Sequence, residues 1–365
     1  MELMRSAARV AWRGVASTSG VHGSRKGGEA MSVSHRFGVR RVCVIALSLL
    51  LTGAGPSWGA PKEVRYILDF MPDGFHAPYY VALDKGFFTD EGLNVKISRG
   101  YGSGDTVLKL AAGQYDIGLA AIGALITARA NENAAVKGIM LYLTRDMLTM
   151  WVRDEGKIVT PKDLEGKTIS TTPGNGHFVM FPAFAKGAGF DASKVKWVTV
   201  DGAAMGPMLI NKQIDAAPFF ASHGPRIQAQ ATERGIRLKP FPYADYGLKI
   251  YSTSLIARDE TIQKDPDTLA RFVRASLKGM RWAADNVDEA ARIVMKHNPE
   301  VTFEATKGAW EVSKKFIFVE EATKDGQGYY EPNRLRSTIE QLNSALKFKR
   351  VPAADEVATN QFVPK

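Results

Sequence analysis

Cysteine is nearly missing: the chain of 365 residues has one, Cys43. Beyond it there is no thiol, which excludes disulfides, thiolate-bound zinc and a cysteine nucleophile from all the rest of the chain. No HExxH pattern or compact His/Asp cluster occurs, so no bound metal is expected. Gly166-Lys167-Thr168 looks like the end of a phosphate-binding loop, but proline stands at 161 where the first glycine belongs, and a strand follows instead of a helix. Gly100, Gly102 and Gly104 lack dinucleotide spacing. No cofactor is expected. The apolar run 42–51 is too short to span a bilayer as a permanent helix.

What is present includes a net charge of +10, which suggests nucleic acid or membrane until it is located. Residues 1–60 hold eight Lys and Arg against Glu2 and Glu29, so six of the ten net charges lie in this leader. No nucleic-acid partner is expected. Arg36, Arg40 and Arg41, the apolar run and then Gly53, Pro56, Ser57, Gly59 and Ala60 read as a secretory signal over 31–60, cleaved near Gly59 or Ala60. Export to the periplasm follows, by the Sec route, since paired arginines alone are a weak twin-arginine signal. Cys43 precedes the apolar run and does not sit where a lipoprotein cysteine would. With 45% hydrophobic and 24% charged residues, the remainder is long enough for a large core split into two domains.

From Lys62 the pattern alternates: a strand at 64–69, a loop, a helix at 79–85, a strand at 93–98, a glycine-rich turn, a helix at 105–112 and a strand at 115–120. This predicts a mostly parallel sheet with covering helices, an α/β class. The stretch 137–153 reads as one or two buried strands. A second unit then repeats the first. Pro72 and His76 recur as Pro173 and His177, each moved by 101 positions; Leu110, Gln114 and Asp116 recur as Leu209, Gln213 and Asp215, each moved by 99. Matched residues in matched element order predict two similarly built lobes. A return strand is expected at 249–257. From Asp265-Pro266, a cap and a first-turn proline, helices run to Leu346. The tail after Arg350 reads as loosely held.

At 76–95 (HAPYYVALDKGFFTDEGLNV), 102–120 (GSGDTVLKLAAGQYDIGLA), 161–170 (PKDLEGKTIS) and in the helical C-terminal third, the sequence resembles the periplasmic substrate-binding proteins of ABC importers, in the branch of thiamine-pyrimidine, taurine and alkanesulfonate binders. The resemblance implies a periplasmic-binding-protein-like fold of type II, with two α/β lobes joined by two crossover strands and a ligand clamped between them. Lobe one would comprise 61–149 plus 256–365, lobe two 150–255. It also implies a membrane permease as partner, a monomer, and no catalytic step.

Loops leaving strand carboxyl ends are where open α/β sheets bind small molecules. Phe70, Asp73, Phe75, His76 and Tyr79 are therefore expected on one wall, and Thr172, Asn175, His177 and Phe178 on the other. The plain alternative for each histidine is a helix-start residue bonded to its own backbone. Of Tyr79 and Tyr80, one should point inward. Helix starts add Ser103, Gly104 and Asp201, with capping as the alternative for Asp105 and Asp201. Two strand-end loops, Ala121-Ile122-Gly123 and Phe219-Phe220-Ala221-Ser222, with Tyr243 and Tyr246, complete an aromatic lining suited to a flat ring, or else lie in lobe core. The expected ligand is a thiamine-pyrimidine precursor or similar heterocycle; a sulfonate or aromatic carboxylate is the alternative. Two other classes compete. Eukaryotic pyrimidine synthases share this fold but use a histidine with a cysteine-rich stretch, and a sensor domain would use the same lobes.

Overall fold

The computed structural model describes residues 60–364, apart from the side chains of Thr323 and Asp325. The secretory signal expected over 31–60 lies, but for Ala60, outside the described residues. In chain order the first elements are β1 (Lys62–Ile67), α1 (Ala77–Asp84), α2 (Phe87–Asp90), β2 (Leu93–Ser98), α3 (Ser103–Ala111), β3 (Ile117–Ala121), α4 (Ile122–Glu132), β4 (Val136–Leu141) and β5 (Leu148–Arg153). They are followed by β6 (Thr168–Thr171), α5 (Gly176–Ala188), β7 (Lys196–Thr199), α6 (Gly202–Ile210), β8 (Ala216–Phe220), α7 (Gly224–Thr232), β9 (Leu238–Pro242) and β10 (Thr253–Arg258). The rest is helical: α8 (Asp259–Lys264), α9 (Pro266–Asp285), α10 (Val287–His297), α11 (Phe303–Ile317), α12 (Glu320–Asp325), α13 (Pro332–Leu346) and α14 (Ala354–Val357).

Two five-stranded sheets form, in the orders β2-β1-β3-β10-β4 and β7-β6-β8-β5-β9. They are the same sheet built twice: β1 pairs in parallel with β2 and β3 as β6 does with β7 and β8, and one antiparallel strand, β10 or β5, sits in the fourth place. That strand is supplied in each case by the chain crossing from the other lobe. The segments 142–147 and 243–252 make the crossings, so the expected lobe boundaries at 149/150 and 255/256 cut inside β5 and β10.

The repeated aspartates have a local reason. Asp116 Oδ2 accepts from the Arg65 amide at 2.8 Å, and Asp215 Oδ2 accepts from the Thr168 amide at 2.9 Å. Each carboxylate stands at the entry to one strand, β3 or β8, and satisfies a backbone donor on its parallel neighbour, β1 or β6, tying the two into register.

The first lobe is covered by α9, whose Asp265 cap and Pro266 start the helix as the sequence predicts and whose Leu269, Phe272, Val273 and Met280 are buried. Gly279 lets it approach α1: a Cβ there would lie 2.2 Å from the Pro78 carbonyl oxygen. Three expectations fail. The tail is not loose, because Val357 and Phe362 are buried and the Thr359 amide donates to Gly138 O at 2.9 Å. Its three buried apolar side chains, at 357, 358 and 362, are too few to show a period. Ile122 and Gly123 begin α4 instead of forming a loop, and Tyr79 and Tyr80 are both buried. Among the described residues no helix is long and apolar enough to cross a membrane.

Gly279→Ala should lower the unfolding free energy by about 1–3 kcal/mol through overpacking, read as a lower urea midpoint at unchanged slope.

Candidate functional site

Both lobes turn the carboxyl ends of their parallel strands toward one another. On lobe one the chain leaves β1 through Asp69 and Phe70 and makes a tight turn whose first residue is Asp73. Its Oδ1 accepts from the Phe75 amide at 2.9 Å, and its own amide faces His76 Nδ1 at 3.2 Å. The turn is thus closed reciprocally, as a capping box closes a helix start. His76 Nε2 lies 2.9 Å from Asp69 Oδ1, with both side chains almost fully buried. Nδ1 is also 3.3 Å from Asp73 Oδ1. A neutral ring accepts from the amide, and a charged ring donates to the carboxylate.

Lobe two answers with two loops. After β6, Asn175 caps α5, its Oδ1 accepting from the His177 amide at 2.8 Å, and this fixes His177 on the first turn facing lobe one. After β8, one short turn over 221–223 brings His223 to the same space. His223 Nε2 stands 3.3 Å from Asp73 Oδ2, across the boundary between lobes. The approach is not aligned as a hydrogen bond, so both atoms, with His223 Nδ1 and His177 Nε2, have no hydrogen-bond partner among the described residues.

These side chains close on a chamber of about 30 Å³ lined by Asp69, Phe70 and Ser103 from lobe one and by Asn175, His177, Phe219, Phe220 and His223 from lobe two. A water or two would fit in that volume, but not a ring. A ring-sized solute therefore enters only when the lobes part or the lining swings aside. The lobes meet through backbone. Gly104 N donates to Gly174 O at 2.8 Å, Thr172 Oγ1 donates to Tyr101 O at 3.0 Å, and a Cβ on Gly102 would lie 2.7 Å from Gly174 O. Phe70 presses its ring on Gly202, where a Cβ would come within 2.5 Å.

Of the residues expected in the site, Phe70, Ser103, Asn175, His177, Phe219 and Phe220 line the chamber, and Asp73 bounds it from outside. Gly104 and Thr172 hold the lobes together, and Ala121 sits just behind, its amide donating to Ser103 Oγ at 3.0 Å. The others fall elsewhere. Phe75 and Tyr79 are core, packed on Tyr142. His76 is turned back on its own loop and supports Asp69 and Asp73. Phe178 is 46% exposed and meets Trp197 edge-on. Asp201 is a helix cap, its Oδ1 accepting from the Ala203 amide at 2.8 Å. Tyr246 packs edge-on against Phe184, on which Tyr243 stacks at 4.1 Å. The first turn of a helix shows only some of its side chains to the cleft, which residue type does not reveal.

Of the chamber's polar side chains, two escape the sequence reading. Asp69 reads as the end of a strand. His223 follows Ser222, the last residue assigned to the loop after β8, and a histidine three residues past the strand end was the available signal. Its ring lies between Phe70, at 5.8 Å edge-on, and Phe220, at 6.2 Å nearly parallel.

Burial sets the charge states. It drives His177 down to about 3 and His223 down to about 4, so both rings are neutral at pH 7. Burial also opposes charge on His76, but the hydrogen bonds and charges of Asp69 and Asp73 outweigh it and raise the ring to about 9. Asp73, although buried, is held down to about 2 by His223 and His76. Since His223 is uncharged at neutral pH, His76 is the histidine that keeps Asp73 ionised there. The chamber thus offers neutral imidazole donors and acceptors, an amide and aromatic faces, with a carboxylate at its edge. Groups buried without partners disfavour the empty closed state and favour a solute that satisfies them.

His76 gives a pH dependence. Its folded pKa, about 9, lies above the unfolded value of about 6.5, so its stabilisation is complete below 6.5 and is lost as pH rises to 9. Asp146, pushed up by burial to about 7, has largely finished titrating by the upper part of this range. The thermal midpoint should fall between pH 7 and 9, and His76→Gln should flatten that slope; an equal slope in the variant would assign it to another group.

Among known proteins, the chain is 24% identical over 265 residues to the formylaminopyrimidine-binding protein of Halalkalibacterium halodurans, covering 72% of this chain and 78% of that one. It is 24% identical over 313 residues to the riboflavin-binding protein RibY of Chloroflexus aurantiacus, covering 83% and 86%. The 4-amino-5-hydroxymethyl-2-methylpyrimidine phosphate synthase THI11 of Saccharomyces cerevisiae is 20% identical over 250 residues, 66% of this chain and 72% of that protein. In structure, the alkanesulfonate-binding protein SsuA of Xanthomonas axonopodis pv. citri superposes with a TM-score of 0.65 at 13% identity, over 82% of this chain and all of that one, a likeness of fold. The two lobes are those of the periplasmic-binding-protein fold, as the sequence resemblance implied. Residues 74–290, more than half of the chain, match the family described as NMT1/THI5 like, and the chain belongs to that family.

Proposed function

We propose that this chain is the periplasmic solute-binding component of an ABC importer, acting as a monomer that clamps a small, partly aromatic heterocycle between its lobes and delivers it to a membrane permease. The observation that carries this reading is the closed interlobe chamber, where His177 Nε2, both ring nitrogens of His223 and Asp73 Oδ2 are buried with no hydrogen-bond partner among the described residues. Once the lobes or the lining part enough to admit it, a heterocycle with ring nitrogens and an amino or hydroxyl group would satisfy these atoms while stacking on Phe70 or Phe220. The relatives that bind a formylaminopyrimidine and riboflavin support a solute of this kind, as a thiamine-pyrimidine precursor is. Closure of the lobes around it is the change a permease would sense.

An anion within the chamber is disfavoured, because both lining histidines are neutral at pH 7 and the ionised Asp73 stands at its edge. A sulfonate or aromatic carboxylate is therefore the second choice for the chamber. Pyrimidine synthesis is the competing class, given the yeast relative. Against it stands the absence of any cysteine beyond Cys43, which leaves no counterpart for a cysteine-rich stretch.

Thermal-shift and calorimetric titration of the mature protein against pyrimidines, flavins, aromatic carboxylates and sulfonates tests the proposal. A pyrimidine or flavin should raise the midpoint, and His177→Ala or His223→Ala should weaken its binding by about tenfold or more. If no solute of these classes binds, or if both variants bind as the native protein does, the chamber is not the site.

A further inference from the structure

Outside the chamber, on the far side of Asp73, the lobes leave an open groove of about 800 Å³. Asp73 and Ser222 line the groove while His223 lines the chamber, so the contact between Asp73 and His223 is the partition between the two spaces. A solute held in the chamber would have its outward substituent directed past this partition. What that substituent meets depends on the charges of the groove.

Two arginines face it, one from each lobe. Arg226 projects from α7 of lobe two and is half-buried; its Nε is shielded from solvent with no hydrogen-bond partner, and no carboxylate pairs with it among the described residues. Arg99, from the loop after β2 of lobe one, is braced with its guanidinium 4.3 Å from the Tyr101 ring and likewise has no carboxylate partner among them. Elsewhere arginines at the lobe surfaces are commonly paired, as in Arg129 with Asp259, Arg271 with Asp267 and Arg274 with Glu91. A half-buried guanidinium with no carboxylate in ion-pair contact is poorly compensated in the empty site and has the fork geometry that matches phosphate or carboxylate oxygens. Asp73 feels the Arg226 charge, which helps hold it ionised, but it makes no ion pair with Arg226 and is shared with His76 and His223. Glu233, Glu300 and Glu304, which also line the groove, are exposed, where water and salt screen them.

We infer that the groove is the second compartment of the binding site and receives an anionic arm of the solute, a phosphate or carboxylate, between Arg226 and Arg99. The inference rests on the solute-binding reading and specifies it: a neutral ring inside the partition, a negative group outside. It resolves a tension in the chemistry of the cleft, whose interior repels an anion while its mouth holds two unpaired cations.

The test compares three solutes that differ only in the arm: 4-amino-5-hydroxymethyl-2-methylpyrimidine, its phosphate, and the corresponding pyrimidine carboxylic acid. Riboflavin and flavin mononucleotide form a parallel pair. By calorimetry on the mature protein, an anionic member should bind about tenfold or more tighter than its uncharged counterpart, and which anion gains more distinguishes phosphate from carboxylate. In Arg226→Gln that advantage should fall to about threefold or less, with a smaller loss in Arg99→Gln and partial retention in Arg226→Lys. Unfolding midpoints of the variants show whether they fold; if Arg226→Gln does not, Arg226→Lys and Arg99→Gln carry the comparison. Equal affinity for charged and uncharged members, or an advantage that survives both glutamine variants, overturns the anionic compartment and leaves the chamber reading intact. Binding of no member of either series overturns both.

Discussion

The Asp73 carboxylate is the constraint on which the cleft depends. One oxygen closes the turn after β1 by accepting from the Phe75 amide, and the same residue's amide meets His76, so the turn and the start of α1 are fixed together. The other oxygen reaches across to His223. A single side chain therefore sets local backbone, joins Asp69 in holding a buried histidine at raised pKa and marks where lobe two must stop. Few alternatives have the reach: a glutamate would overshoot the two-residue cap, and an asparagine would leave His76 without one of its two carboxylates.

Around that contact the lobes fit by subtraction. Gly102, Gly104, Gly174 and Gly202 stand where any side chain would collide with the opposite lobe or with Phe70. Close backbone approach allows a hydrogen bond between main chains across the cleft. The C-terminal helices reinforce it: Gly308 on α11 sits against Pro225 of lobe two, and Lys186 of α5 donates to Ser344 Oγ on α13 at 2.8 Å. Within this boundary the chamber gathers several buried ring nitrogens, His177 Nε2 and both of His223, that lack a hydrogen-bond partner among the described residues. A cluster of such atoms around one space is what a bound solute would satisfy.

Electrostatics then divides the cleft. Deep burial keeps the histidines of the chamber neutral, whereas the groove is lined by two arginines, a residue type that carries its charge at any physiological pH. Side-chain type and burial together separate a compartment suited to an uncharged ring from one suited to an anion.

Much of the fold was legible because it rests on local signals. Alternating apolar strands, glycine-rich turns and the Asp265-Pro266 helix start are written within a few residues, and the paired aspartates at 116 and 215 repeat because each lobe has the same backbone donor to satisfy. The loops at the cleft were legible for the same reason, since strand ends are where a sheet leaves backbone and side chains facing open space. Which side chain enters the cleft was not. His76 and His177 occupy matching places in the repeat, yet one folds back between Asp69 and Asp73 while the other lines the chamber. His223, which meets Asp73, comes from a loop 150 residues away in sequence. The sequence by itself determined two lobes and the loops that face each other. Only the tertiary structure decided which residues touch, because those contacts, and the charge states that follow from them, exist only once separate segments are buried against one another.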